Sequence, residues 1–156
     1  SEGVELETRW FVTPKLVLNS SVTFADTQYG ANVSDLTIAN RALNAAPKWT
    51  AQAGFLYERS LTERFTLFAS GNARYQSRTT TGADLDPLKT QKGFTLVNGR
   101  FGLRHEGQDA ELVLWGSNLT DQRYRIVTFN ATLQPGSLQA YMGEPRAWGV
   151  ELSKRF

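Results

Sequence analysis

The sequence predicts an all-β fold, namely an antiparallel transmembrane β-barrel segment of about seven strands with short periplasmic turns and long extracellular loops. Three observations predict it. Apolar and polar residues alternate in stretches of about ten residues, the connections between these stretches are alternately short and long, and charged residues recur on the polar side. Since successive strand side chains point to opposite faces, each stretch has an apolar face for lipid and a polar face for the barrel interior.

The first four strands are predicted at about residues 3–11, 16–29, 49–58 and 65–78. A turn at 13–15 joins the first two, because its proline fixes φ where no ladder hydrogen bond is needed. The third strand alternates most regularly and starts at Trp49. On the fourth strand, Arg74 and Arg78 fall on the polar face, near the predicted extracellular end.

The last three strands are predicted at 94–105, from 110 onward, and at 145–156, and the long polar segments are 30–47, 79–92 and 118–144. The apolar face of the closing strand carries Trp148, Val150, Leu152, Lys154 and Phe156. A terminal aromatic residue contributes little to a soluble domain, because chain termini fray. A strand of this length and pattern is instead the unit of a membrane barrel.

Composition excludes several classes of protein. The 156 residues include no cysteine and one histidine, and the net charge is +2 with Lys and Arg spread along the chain. A disulfide scaffold and a thiolate metal site are therefore excluded, and nothing predicts nucleic-acid binding. No apolar run approaches the ~18 residues of a spanning helix. Asp26, Asp35, Asp84 and Asp86 lack the register of a calcium loop and are interpreted as solvated turn residues.

No catalytic constellation is predicted. His105 is the only histidine. It falls at a strand end, on the same face as Phe101 and Leu103, where anchoring at the membrane interface is the better interpretation. The sequence has no Gly-x-Ser-x-Gly, phosphate loop or His-Glu-x-x-His. We therefore predict a protein that is not an enzyme, with no catalytic, cofactor-binding or metal-binding residues.

Ligand-binding candidates are the inward arginines and the aromatic residues of the outer segments. Arg74 and Arg78 could guide an anionic ligand, as charged rings do in pores, or could pair with acidic groups. For Arg100 and Arg104, the preferred interpretation is pairing with Glu58, Glu111 or Glu151, or with acidic groups outside this chain. Aromatic side chains that could stack on a ligand are Tyr29, Tyr124 and Phe129, with packing within the loops as the alternative.

Two motifs carry a family resemblance. Residues 114–124 read Leu-Trp-Gly-Ser-Asn-Leu-Thr-Asp-Gln-Arg-Tyr, and residues 143–149 read Gly-Glu-Pro-Arg-Ala-Trp-Gly before the closing strand. In this order and spacing they resemble TonB-dependent outer-membrane receptors. The matching positions are Asn118, Leu119, Asp121, Tyr124, Pro145 and Arg146. Lys154 departs from the pattern, and a lysine near the interface can extend its charge to water.

The resemblance implies a function for a larger protein. Members carry a TonB-contacting box, a plug domain and a barrel of about 22 strands, so residues 1–156 would be the C-terminal portion of the barrel, without plug and upstream strands. The complete receptor would bind a scarce ligand, most often a ferric siderophore, in the outer membrane of a Gram-negative bacterium. Implied partners are outer-membrane lipid, the TonB system through the plug, and the barrel-assembly machinery, which recognises a closing strand such as Trp148, Val150, Leu152 and Phe156.

Two other classes of function stay open. One is a passive outer-membrane porin or a barrel enzyme, which would need a complete barrel or a catalytic constellation. The other is a soluble β-barrel binding module, which would need an apolar interior, so that the charged strip faces water.

Overall fold

The computed structural model describes residues 1–35 and 37–155. Its strands are β1 (Glu2–Thr13), β2 (Leu16–Asp26), β3 (Trp49–Ser60), β4 (Phe65–Gln76), β5 (Thr79–Thr80), β6 (Thr90–Gln91), β7 (Phe94–His105), β8 (Ala110–Ser117), β9 (Arg125–Asn130), β10 (Leu138–Met142) and β11 (Ala147–Lys154). Seven of them form one antiparallel sheet in the order β1-β2-β3-β4-β7-β8-β11. The predicted all-β fold with seven antiparallel strands is confirmed.

The register gives the sheet two chemically different faces. One row across five strands consists of Tyr57, Ala69, Phe101, Leu114 and Val150. A row on the other face consists of Arg9, Asn19, Gly54, Asn72 and Asn98. Side chains of paired residues share a face, so every strand contributes to both. We call the apolar side the outer face and the polar side the inner face.

The outer face has no core behind it. Large hydrophobic side chains remain exposed along it, from Val4 and Leu6 on β1 to Val150 and Leu152 on β11. A water-soluble domain seldom exposes an apolar patch of this extent, whereas a barrel wall turns such a face toward lipid. Among the described residues, no helix is long and apolar enough to cross a membrane.

The connections alternate in length as predicted. Residues 14–15, 61–64 and 106–109 form the short turns at one end of the sheet. At the other end lie the first outer connection (residues 27–48), the second (77–93) and the third (118–146). The second and third outer connections contain strands of their own, because β5 pairs with β6 and β9 pairs with β10 in separate two-stranded sheets.

Candidate ligand-binding site

The inner face lines an open cavity of about 690 Å³, where apolar side chains such as Leu56 and Trp115 lie beside amide and charged groups. We call its floor the asparagine row, formed by Asn19, Asn72 and Asn98. Asn98 Nδ2 donates to Asn72 Oδ1 at 3.3 Å, and Gly54 leaves room for the Asn19 amide, since a Cβ there would lie 3.0 Å from Asn19 Oδ1. Arg9 and Arg100 also line the cavity. It therefore offers amides and guanidinium groups to a polar or anionic partner.

Two neighbouring inner arginines differ in their partners. Arg104 bridges two strands, because its guanidinium lies 2.9 Å from Glu58 Oε1 and 2.7 Å from Glu111 Oε1. The predicted pairing of Arg104 is confirmed. Arg100 has no carboxylate of the described chain within ion-pair distance, so its predicted pairing with Glu58, Glu111 or Glu151 is wrong there. Pairing of Arg100 with an acid of a plug domain stays a prediction.

Arg74 and Arg78 lie in different settings. Arg74 is exposed on the inner face of β4, opposite Gln52 and Leu96. Arg78 does not lie on a strand as predicted, because β4 ends at Gln76. The following residue, Ser77, closes the ladder against β3: its N–H donates to Trp49 O at 2.8 Å. Both arginines lack an ion-pair partner in the described chain.

Two of the aromatic side chains predicted to contact a ligand are held by other residues of the chain. Tyr29 lies beyond β2, which ends at Asp26 rather than at residue 29, and its hydroxyl donates to Asn44 Oδ1 at 3.3 Å. Tyr124 stacks on Phe94 with ring centroids 4.5 Å apart and planes at 23°. Both rings are half-buried. A ligand would meet only part of either ring.

The third aromatic prediction, Phe129, is exposed and has a partner that sequence reasoning missed. Phe129 and Tyr141 lie 5.6 Å apart on the β9–β10 hairpin, with 36% and 67% of their surfaces exposed. Val127 pairs with Tyr141 on the same face. The signal was the alternation of Leu138, Ala140 and Met142 with Gln139 and Tyr141, which predicts a short strand.

The structure does not join the five ligand-binding candidates into one cluster. Among described residues, no hydrogen bond, ion pair or ring contact connects any two of Arg74, Arg78, Tyr29, Tyr124 and Phe129. All five lie on the inner face or in the outer connections. Their contact with a ligand stays a prediction.

The outer connections are tied to one another. Ala45 N donates to Thr80 O at 2.8 Å, joining the first to the second. Arg125 N donates to Gln91 Oε1 at 2.9 Å, joining the third to the second. The second connection also has a charged centre, since Lys89, 2% exposed, forms an ion pair with Asp84. These connections are ordered by their own contacts.

The acidic side chains interpreted as solvated are mostly bonded. Besides the Asp84 pair, Asp26 lies 2.9 Å from Lys48 Nζ, Asp35 accepts from Thr37 N at 2.9 Å, and Asp86 caps a single-turn 3-10 helix by accepting from Leu88 N at 2.9 Å. Asp35 and Asp84 are exposed, and Asp26 and Asp86 are half-buried, so these carboxylates keep contact with water as well as their local hydrogen bonds. Within the described chain, no group of three or more possible ligand residues is placed to hold a metal ion.

The first family motif organises the base of the third outer connection. Asn118 is 4% exposed and has φ of 46°, a left-handed conformation that asparagine tolerates. Its Oδ1 accepts from Gln122 N at 2.9 Å, and its Nδ2 donates to Gln122 O at 2.9 Å and to Glu144 O at 3.0 Å. The motif asparagine therefore closes this connection.

The second motif meets the first. Arg146 lies 3.8 Å from Asp121, beside Pro145. Gly143 N donates to Tyr124 O at 2.8 Å, and a Cβ at Gly143 would overlap the Tyr124 ring. Leu119 N donates to Val97 O at 2.8 Å. Residues from both motifs thus form one clamp at the end of the sheet.

The closing strand and His105 complete the predicted positions. Trp148, Val150 and Leu152 are exposed on the outer face of β11; Phe156 lies outside the described residues. The His105 ring lies 4.9 Å from the Phe65 ring at 89°. Its Nδ1 has no hydrogen-bond partner among the described residues, and anchoring at the membrane interface stays a prediction.

The family described as "TonB dependent receptor-like, beta-barrel" matches residues 1–119. Similar solved structures include the ferric yersiniabactin uptake receptor FyuA from Yersinia pestis, with a TM-score of 0.82 and 19% identity over 99% of this chain and 23% of that one. The ferric preacinetobactin receptor BauA from Acinetobacter baumannii has a TM-score of 0.68 and 21% identity over 97% of this chain and 21% of that one.

The siderophore receptor PiuA from Acinetobacter baumannii has a TM-score of 0.61 and 19% identity over 96% of this chain and 21% of that one. A comparison with curated protein sequences gives no match. The chain spans about a fifth of the length of the solved receptors that it matches. Their likeness shows the fold, and the family match covers most of the chain. The chain therefore belongs to the TonB-dependent receptor-like β-barrel family.

Proposed function

We propose that the chain supplies wall, outer loops and closing strand to an outer-membrane receptor that imports a scarce ligand, a ferric siderophore. The observation that carries the proposal is the pairing of a continuous apolar outer face with a polar inner face across seven strands. Members of this family are outer-membrane transport receptors of Gram-negative bacteria, and the three solved relatives are receptors for siderophores.

The chain would act as part of a larger protein. Residues 1–156 would form the C-terminal portion of a barrel of about 22 strands, with a plug that contacts TonB. The sheet leaves β1 and β11 at its edges, and lipid does not tolerate unpaired edges. Trp148, Val150, Leu152 and Phe156 would present the closing strand to the assembly machinery.

The geometry supports a division of labour for transport. The aromatic face of the β9–β10 hairpin is exposed at the outer end, where a ligand would arrive first. Arg74 and Arg100, unpaired in the described chain, would draw an anionic complex along the inner face. The energy for release would come from TonB through the plug.

Uptake by the complete receptor tests this function. The receptor is expressed in a strain that lacks its own siderophore receptors, and radioactive iron is supplied as ferric yersiniabactin or ferric preacinetobactin, the ligands named for two solved relatives. We expect uptake of at least one complex, lost when TonB is deleted. Uptake that persists without TonB would indicate a passive pore. A receptor that reaches the membrane and imports neither complex would contradict the siderophore assignment.

A further inference from the structure

Thr81, in the second outer connection, is adjacent to the hydrogen bonds that join all three outer connections. It is 5% exposed. Its backbone oxygen accepts from Thr128 N at 3.1 Å, and the oxygen of the preceding Thr80 accepts from Ala45 N at 2.8 Å. The Thr81 N–H donates to Lys89 O at 2.8 Å. Every backbone hydrogen-bonding group of Thr81 is therefore used, and two of the three connections meet there.

The Thr81 hydroxyl adds a buried side-chain link to the third connection. Thr81 Oγ1 donates to Lys89 O at 2.8 Å and also lies 2.8 Å from Thr128 Oγ1. A hydroxyl has one hydrogen and two acceptor lone pairs, so Thr128 Oγ1 must be the donor in this contact. Thr128 is 2% exposed, so its hydroxyl has little access to solvent water.

The contact between Thr81 and Thr128 lies on one face of the β9–β10 hairpin and affects the orientation of the other face. Thr128 points toward Thr81, and its neighbours Val127 and Phe129 point the other way, because strand side chains alternate. Tyr141 pairs with Val127 and lies against Phe129. Because the contact at Thr128 holds one face of the strand in place, the orientation of the opposite face is fixed as well.

We propose that Thr81 is a positioning residue that joins the second outer connection to the third and, through Thr128, sets the orientation of the face formed by Val127, Phe129 and Tyr141. Together with the neighbouring hydrogen bond from Ala45 N to Thr80 O, this contact makes the three connections one preorganised unit. The role of that face in ligand capture rests on the proposed receptor function. A surface ordered before binding loses less conformational entropy when the ligand arrives. Thr81 would act on capture without touching the ligand.

Amide hydrogen exchange of the complete receptor tests the unit without any ligand. Thr81→Val keeps the size and the backbone but removes the hydroxyl, whereas Thr81→Ser keeps the hydroxyl. Thr132→Val is the matched control, since Thr132 is exposed in the third connection. We expect Thr81→Val to speed exchange roughly tenfold at residues 125–130 and at Ala45, because a buried hydroxyl loses its partner. Thr81→Ser and Thr132→Val should match the wild type.

The Ala45 amide distinguishes coupling from local damage. It donates to Thr80 rather than to the altered side chain, so it responds only if the connections move together. Exchange that changes only within residues 79–91, or a Ser variant as fast as the Val variant, would overturn the proposal. Thr128→Val removes the same contact from the other connection and should give the same pattern, which guards against a folding defect specific to Thr81→Val.

Uptake separates this proposal from the proposed function. Thr81→Val should slow uptake of whichever ferric complex the wild-type receptor imports, with rescue by Thr81→Ser. Normal uptake by a Thr81→Val receptor with loosened connections would overturn the role in capture. If the wild type imports neither ferric yersiniabactin nor ferric preacinetobactin, the ligand role falls together with the siderophore assignment, while exchange still decides whether the unit exists.

Discussion

The side-chain amide of Asn118 spans the two ends of the third outer connection, donating at 3.0 Å to Glu144 O and at 2.9 Å to Gln122 O. Both amide hydrogens are thus used. Two motifs far apart in sequence are held together by one buried side chain. The Asn118 position in the family motif therefore has a structural reason, independent of ligand binding.

Asn118→Ala should loosen the third connection. It removes three part-buried hydrogen bonds to the backbone of Gln122 and Glu144, at about 0.5–1.5 kcal/mol for each bond, and puts alanine at a left-handed φ, at roughly 1–2 kcal/mol. Faster amide exchange across residues 122–144 is the measurement. Asn118→Gly is the control, because glycine relieves the backbone strain but not the lost bonds. A Gly variant that exchanges like the wild type would show that the amide contributes nothing.

Two adjacent residues at the same depth can test which face of the sheet is turned toward lipid. Ala69 lies on the outer face opposite Phe101, and Ser70 lies on the inner face opposite Arg100, both near the middle of β4. Ala69→Arg should destabilise the membrane-inserted barrel by about 2–4 kcal/mol, because it turns a charge toward lipid. Ser70→Arg should cost much less. The measurement is the folded fraction in lipid vesicles, read by heat-dependent gel mobility. If both variants lose the same folded fraction, the assignment of the outer face to lipid is wrong.

Local alternation carried most of the fold prediction, because a strand's two faces are encoded within ten residues. The fifth predicted strand, 94–105, agrees with β7 at both ends. The outer connections could not be predicted in this way. Lys89 lies in a polar segment of the sequence and yet is 2% exposed, and Thr81 meets Thr128 across a sequence separation of 47. Such contacts depend on tertiary structure rather than on a period.

Replacing the bridging arginine should weaken the sheet. Arg104→Met leaves Glu58 and Glu111 without their shared cation. We expect a loss of about 1–2 kcal/mol, limited because exposed ion pairs contribute at most ~1 kcal/mol each and the Arg104 side chain is 33% exposed. The urea midpoint of the complete receptor in detergent measures it. Arg100→Met, which removes no described ion pair, is the control and should shift the midpoint less.

The second outer connection should loosen only when the pH is low enough to protonate Asp84. The hydrogen bond from Lys89, above all, holds the pKa of the Asp84 carboxyl below its usual value of 3.8. A lowered folded pKa means that the carboxylate stabilises the connection above about pH 4 and that this contribution is lost as the pH falls through the folded pKa. Exchange at residues 79–91, corrected for its intrinsic pH dependence, should therefore stay slow from neutral pH to about pH 4 and then accelerate.

Asp84→Asn should remove that pH dependence by loosening the connection at every pH. We expect Asp84→Asn to lower the free energy of opening the connection by about 1–2 kcal/mol at neutral pH. This is less than the ~3–5 kcal/mol lost when a fully buried pair is broken, because Asp84 itself is 49% exposed. The cost arises from the buried Lys89 ammonium left without its carboxylate, so adding Lys89→Met should restore part of the protection. A double variant no better protected than Asp84→Asn would show that Lys89 does not need Asp84 as its counterion.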